Sequence, residues 1–161
     1  MWLMRLNRST DIGLRVVMFA ASHDGGQHTI DELAEALAVP RHHLAKVVQR
    51  LQRLGAVGTV RGRAGGVRIT TAGLATTVGT LVRAFEGEAE VVECDEPVCP
   101  LRHGCRLRGA LRAAQEAFYR SLDPVTIAEL IRSPTREVLL TLHPPTAQAP
   151  PAPRQTEESP C

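Results

Sequence analysis

Along the first third of the chain, apolar residues recur at helical rather than alternating intervals. Ile12, Val16 and Phe19, with Leu14 and Val17 beside them, predict a helix from Arg8 to Ser22. Ser9, Thr10 or Asp11 is expected at its cap, and His23-Asp24-Gly25-Gly26 ends it. Thr29 and Glu32 form a capping box for a short second helix with the stripe Ile30, Leu33, Ala34 and Leu37. Pro40 then takes the favoured first position of a third helix. That helix is expected to bury Leu44, Val47, Val48, Leu51 and Leu54 and to carry His43, Lys46, Arg50 and Arg53 on another face. Gly55 closes it.

The period then changes. Val57 to Val60 and Val67 to Thr70 are short β-like runs around Arg61-Gly62-Arg63-Ala64-Gly65-Gly66, a hairpin with two arginines and three glycines at its tip. Two short helices joined by a tight turn, followed at once by such a hairpin, make a mainly α winged helix-turn-helix. A further helix, capped by Thr70 or Thr71, carries Leu74, Val78, Leu81, Val82 and Phe85 on one face and ends at Gly87. After Cys105 a longer helix runs to about Leu122, with Leu107, Leu111, Ala114 and Phe118 close to a heptad seam that suits a second copy of the chain. Asp123-Pro124 opens a short closing helix over Val125 to Ile131. From His143 onward Pro, Ala, Gln and Glu dominate, and that tail is expected to be disordered. The expected divisions are therefore a DNA-binding unit over 1–86, a cysteine-rich loop over 87–105, a dimerisation helix and closing helix over 106–142, and a tail over 143–161.

Charge sharpens this picture. The net charge of +2 hides a segregation: eight basic and no acidic residues lie between Ala36 and Phe85, then six acids and no base between Glu86 and Glu96. A basic block of this kind implies an anionic partner, double-stranded DNA being the usual one. Arg41, His42 and His43, in the first turn of the third helix, are expected at bases or phosphates in a major groove. Lys46, Arg50 and Arg53 are expected on phosphates, and Arg61 and Arg63 in an A·T-rich minor groove. The glycine-rich tip lacks the pattern of a nucleotide-binding loop. No apolar run approaches the roughly 20 residues needed to span a bilayer, and no signal peptide is evident, so a cytoplasmic location is expected.

Three of the four cysteines, Cys94, Cys99 and Cys105, sit with four and then five residues between them; Cys161 ends the tail. An odd number of thiols in a reducing compartment argues against a disulfide framework, and the absence of Cys-x-x-Cys against a thioredoxin-like pair. Soft thiolates suit zinc or iron–sulfur iron, and Pro97, Pro100 and Gly104 favour a turning loop. Three unrelated loop thiols, or a structural zinc held with His103, remain alternatives. No dinucleotide fingerprint or substrate-sized second domain supports an enzyme.

With these elements in this order, the chain resembles the iron–sulfur winged-helix repressors, the family that includes IscR and the nitric-oxide sensor NsrR. The likeness spans roughly residues 4–140. It is carried by TDIGLR, by LAKVVQRLQRLGAV with RGRAGGVRIT, and by GEAEVVECDEPVCPLRHGCRLRGAL, the last most similar to the actinobacterial NsrR branch. The resemblance implies a homodimer on a palindromic operator, with one cluster per subunit, [4Fe-4S] in preference to [2Fe-2S]. Cys94, Cys99 and Cys105 match its three thiolates. The histidine that IscR-like members place shortly after the third cysteine is absent, since Arg106, Leu107 and Arg108 follow Cys105. Asp11 matches the aspartate that NsrR-like members carry at the start of the first helix, reaching the other subunit's cluster; His103 is its rival as fourth ligand. The implied function is repression relieved when nitric oxide attacks the cluster, which switches on nitric-oxide detoxification genes.

Overall fold

The computed structural model describes residues 5–23, 25–60, 65–87, 90–92, 94–95 and 97–142. Helix α1, Arg8–Ser22, is the centre of the fold: Val16, Val17, Phe19 and Ala20 are all fully buried, so more than one face of the helix is covered. Its cap is Asn7, whose side chain accepts from the Thr10 amide at 2.9 Å, rather than Ser9, Thr10 or Asp11. Asn is as good a cap as Ser or Asp, and from this position it leaves Asp11 in the first turn.

Helix α2, Ile30–Ala36, has the expected capping box: Thr29 accepts from the Glu32 amide, and the Glu32 carboxylate accepts from the Thr29 amide at 2.7 Å. Helix α3, Arg41–Arg53, follows with Pro40 at its cap, one residue before the expected place. It buries Leu44, Val47, Val48 and Leu51 against α1 and α2. Leu54, expected in that stripe, is the C-cap and 45% exposed, because the helix has already ended there. Gly55 makes the reversal with φ +73°, a conformation other residues enter at a cost.

Strands β1, Val57–Val60, and β2, Gly66–Ile69, pair antiparallel from Val57↔Ile69 to Val60↔Gly66. Backbone hydrogen bonds of 2.9 and 2.7 Å between His28 and Val67 anchor this wing to the segment before α2. Thr70 leaves the strand and caps α4, Thr71–Ala75, by accepting from the Gly73 amide.

The single helix expected over 71–86 is two. Thr76 and Thr77 are extended, and Thr77 caps a new helix, α5, Val78–Glu86. The freed backbone pairs instead with the later chain: Val78 donates to Val125 O and Ile127 to Thr76 O, at 2.8 and 3.0 Å. Gly87, at φ +76°, ends α5. Helix α6, Arg106–Leu122, spans about 25 Å, yet Tyr119 is its one buried residue. Helix α7 covers Ile127–Leu130, later than expected, because Thr126 and Glu129 form a second capping box. A further helix, α8, Thr135–Thr141, packs on α1 and buries Leu139; no periodic run had marked it. The tail from His143 onward lies outside the described residues.

Gly73 lies where a side chain cannot: a Cβ there would stand 2.0 Å from the Ala56 carbonyl oxygen. Gly73→Ala is expected to lower stability by about 1–3 kcal/mol, the usual cost of overpacking. Urea unfolding of the variant checks this, and an unchanged midpoint would show that α4 can lift off β1.

Candidate nucleic-acid interface and cysteine loop

The packing of α3 decides which of its polar residues reach solvent. His42, Lys46, Gln49 and Arg53 are exposed and follow one another at four, three and four residues, a continuous stripe. This stripe is rotated by one position from the expected His43, Lys46, Arg50 and Arg53. His43 and Arg50, seven residues apart, are half-buried beside the apolar stripe. Arg41 is exposed at the start of the helix and paired with Asp31 of α2.

The His43 ring is tilted by 52° against that of His42 with ring centres 4.5 Å apart, and its Nδ1 is enclosed without a hydrogen-bond partner. Burial, then the charges of His42, Arg8 and Lys46, push its pKa below the ordinary histidine value, so the ring is neutral at neutral pH. Arg8 is exposed in the first turn of α1 and close enough to act on His43. Sequence reasoning missed it, because nothing along the chain links the start of α1 to the start of α3. It missed Gln49, which carries no charge, and Arg68, exposed on β2. Arg61 and Arg63 at the wing tip lie outside the described residues.

Arg50 was expected on a phosphate. Its guanidinium instead donates to the Ala84 carbonyl of α5 and lies over the Phe85 ring at 4.7 Å. Arg83 performs a comparable task further along. It donates to Asp123 at 2.5 and 3.2 Å and to Glu116 at 3.2 Å, and stacks on Tyr119, so that α5 and α6 are joined.

The loop between α5 and α6 holds Cys94, Cys99 and Cys105, all half-buried free thiols. Cys99 donates its amide to Cys94 O at 3.0 Å, Arg102 to Cys99 O and Gly104 to Leu101 O at 3.1 Å, winding the segment into consecutive turns. Cys105 is the N-cap residue of α6. An ion-pair network holds the start of the loop on that helix. Arg108 forks onto Glu90 at 2.6 and 2.9 Å, Arg112 reaches Glu90 at 3.5 Å, and Asp95 lies 3.8 Å from Arg108 and 3.9 Å from Arg102. Arg108 pulls the Glu90 carboxyl below its ordinary pKa. Burial pushes the Cys94 thiol up, offset by Arg108 and reinforced by Cys99, Glu90 and Cys105.

Three soft donors in one turning loop, with an arginine beside them, fit an iron–sulfur or zinc group by their chemistry. Among the described residues, no three His, Cys, Asp or Glu side chains are gathered closely enough to hold a metal ion. Neither candidate for the fourth ligand joins the cysteines within one chain. Asp11 is paired with Arg15 at 2.8 Å on its own helix, and His103 is exposed in the loop. Among the described residues, no helix is long and apolar enough to cross a membrane.

Comparison with known proteins adds kinship to this geometry. Residues 6–133 match the family described as "Rrf2: Iron-dependent Transcriptional regulator". The chain is 52% identical to the HTH-type transcriptional repressor NsrR of Streptomyces coelicolor over 143 residues, 86% of this chain and 96% of that protein. It is 39% identical to the HTH-type transcriptional regulator NsrR of Geobacillus kaustophilus over 132 residues, 80% of this chain and 90% of the relative. Among solved structures, T. potens IscR superposes with a TM-score of 0.61 at 18% identity, covering 80% of this chain and 86% of that one, which shows the shared fold. The chain belongs to the Rrf2 family, whose members are transcription regulators rather than enzymes.

The Glu90–Arg108 clasp predicts how the loop behaves without metal. Arg108→Met is expected to speed thermolysin cleavage between Cys94 and Cys105 several-fold. The lowered pKa of Glu90 means that its contribution persists through mildly acidic buffer and is lost as the pH falls through that lowered value. Cleavage rates across a pH series check this; equal rates for variant and parent would show that the clasp does not restrain the loop.

Proposed function

We propose that this member of the Rrf2 family is a homodimeric cytoplasmic repressor that binds a palindromic operator on double-stranded DNA and answers nitric oxide through an iron–sulfur cluster. The observation that carries this reading is the place of the three free thiols. They occupy one loop between α5, which packs on α1 and is tied to α3 through Arg50, and α6, which is largely uncovered. A change at the loop therefore has a short path to both the DNA surface and a partner subunit.

On the DNA side, α3 enters the major groove with Arg41 and His42 leading and neutral His43 behind them as a hydrogen-bonding rather than a charged group. Lys46, Arg53 and Arg8 serve phosphates, and Gln49 is the uncharged reader on the same stripe, a residue type suited to adenine. Arg61 and Arg63 of the wing serve the minor groove. On the dimer side, α6 exposes Leu107 and Ala114 and leaves Leu111 half-exposed, while Phe118 at the far end of the expected seam packs partly on the core. A second copy of α6 supplies a cover.

Cys94, Cys99 and Cys105 would hold the cluster, [4Fe-4S] in preference to [2Fe-2S] on the family resemblance, with Asp11 of a second copy as fourth ligand. When bound, the cluster supplies an iron whose carboxylate ligand is harder and more exchangeable than the thiolates, a position open to nitric oxide. Asp11 is suited to that role: it is half-exposed on the first turn of α1, held by Arg15 until a stronger cation competes. The same turn of α1 carries Arg8, so a cluster ligated by Asp11 would be joined directly to that residue's position.

Anaerobically purified protein titrated with nitric oxide, while visible absorbance and operator binding are followed together, tests the reading. A brown protein should lose its band and its operator affinity in parallel. Unchanged binding after complete loss of the band, or a colourless protein with one zinc per chain, would overturn it. For the interface, Lys46→Ala and Arg8→Ala should each weaken binding to all sequences and reduce the slope of log affinity against log salt by about 1. An unaltered slope would remove that residue from the phosphate contacts.

A further inference from the structure

The last turn of a helix leaves carbonyls with no partner in the helix itself. In α5 the Arg83 carbonyl is taken by the Gly87 amide at 3.0 Å. The next two are satisfied from other helices. Ala84 O accepts from the Arg50 guanidinium of α3, and Phe85 O accepts from the side-chain amide of Asn7, the cap of α1, at 3.0 Å. The Glu86 carboxylate then accepts from the Asn7 backbone amide at 2.9 Å and from the hydroxyl of fully buried Thr10. Between these contacts the Phe85 ring fits under Arg50 on one side and against Gly13 of α1 on the other, where an added Cβ would come within 3.0 Å of it.

We infer that the C-terminal end of α5 transmits the state of the cysteine loop to the DNA-reading helix and to the first turn of α1. Arg50, Asn7 and Glu86 are its positioning residues. Three features support this. The end of α5 is tied to α3 by one cationic side chain and to α1 by Asn7 and Thr10, so it cannot shift without moving both or breaking hydrogen bonds at a partly buried site. The chain reaches the first cysteine seven residues after Gly87, a short tether. The α1 turn clamped by Glu86 holds both Arg8, on the DNA surface, and Asp11. This inference rests on the DNA-and-cluster reading above and adds the route between its two ends. It also gives Arg50 a function distinct from phosphate contact, because a guanidinium placed on a helix end and an aromatic ring is directed into the protein.

The test compares Arg50→Met, Asn7→Ala and Glu86→Gln with Lys46→Ala as a phosphate-contact control. Operator affinity is measured for cluster-loaded and nitric-oxide-treated protein across a salt series. The wild-type ratio between the two forms should be about fivefold or more, the usual scale of such coupling. In the three clamp variants it should shrink towards one, with the salt slope and the visible spectrum kept. An Arg50→Met variant that lowers the slope as Lys46→Ala does, with the ratio unchanged, would overturn the inference and return Arg50 to the phosphates.

Hydrogen exchange on the metal-free protein gives a second readout that does not depend on sensing. Glu86→Gln should speed exchange in the first turn of α1 and also in the last turns of α3, whereas an effect confined to α1 would refute the transmission. If wild-type protein binds its operator equally in both states, the sensing reading fails, and the exchange measurement still decides whether the three helices are linked.

Discussion

Unsatisfied carbonyls at the end of α5 are the constraint on which the arrangement of this protein turns. A helix end buried among other elements needs donors, and here Arg50 and Asn7 come from two different helices to supply them. That requirement fixes the spacing of α1, α3 and α5 together and explains why Phe85 meets a glycine rather than a larger residue on α1.

A second set of contacts governs the other side of the loop. Glu90 and Asp95 face Arg102 of the loop and Arg108 and Arg112 of α6, so the acidic stretch is partly neutralised from both. The loop is thus held by backbone turns and ion pairs rather than by an apolar core. Interactions of that kind suit a segment that changes state, since they reform at little cost and respond to added charge. A cluster ligated by anionic residues would bring negative charge beside Arg108, which the arginine is already placed to meet.

The uncovered seam of α6 and the pairing of Asp11 with Arg15 belong together. A single copy leaves both the apolar stripe and the carboxylate without the partner that the family resemblance implies. A dimer places the first turn of α1, the loop and the DNA surface of two subunits in one assembly.

Most of the winged helix was legible in the sequence because its signals are local. The capping box at Thr29 and Glu32, the period of α3 and the glycine at 55 act within a turn or two of chain, and the structure reproduces them. The family was legible through its longer motifs, and the three cysteines were legible as candidate ligands by residue type and spacing. What the tertiary structure decided was nonlocal. Thr76 and Thr77 break a helix whose apolar period runs through them, because their backbone pairs with residues near 126. His43 and Arg50 turn inward because α1 and α5 pack beside the apolar stripe of α3, which shifts the exposed face by one residue to His42, Lys46, Gln49 and Arg53. Asn7, Glu86 and Arg8 acquire their places only when residues nearly 80 positions apart meet. Periodicity reports which face of a helix is apolar; only the packed neighbours decide where its polar edges end.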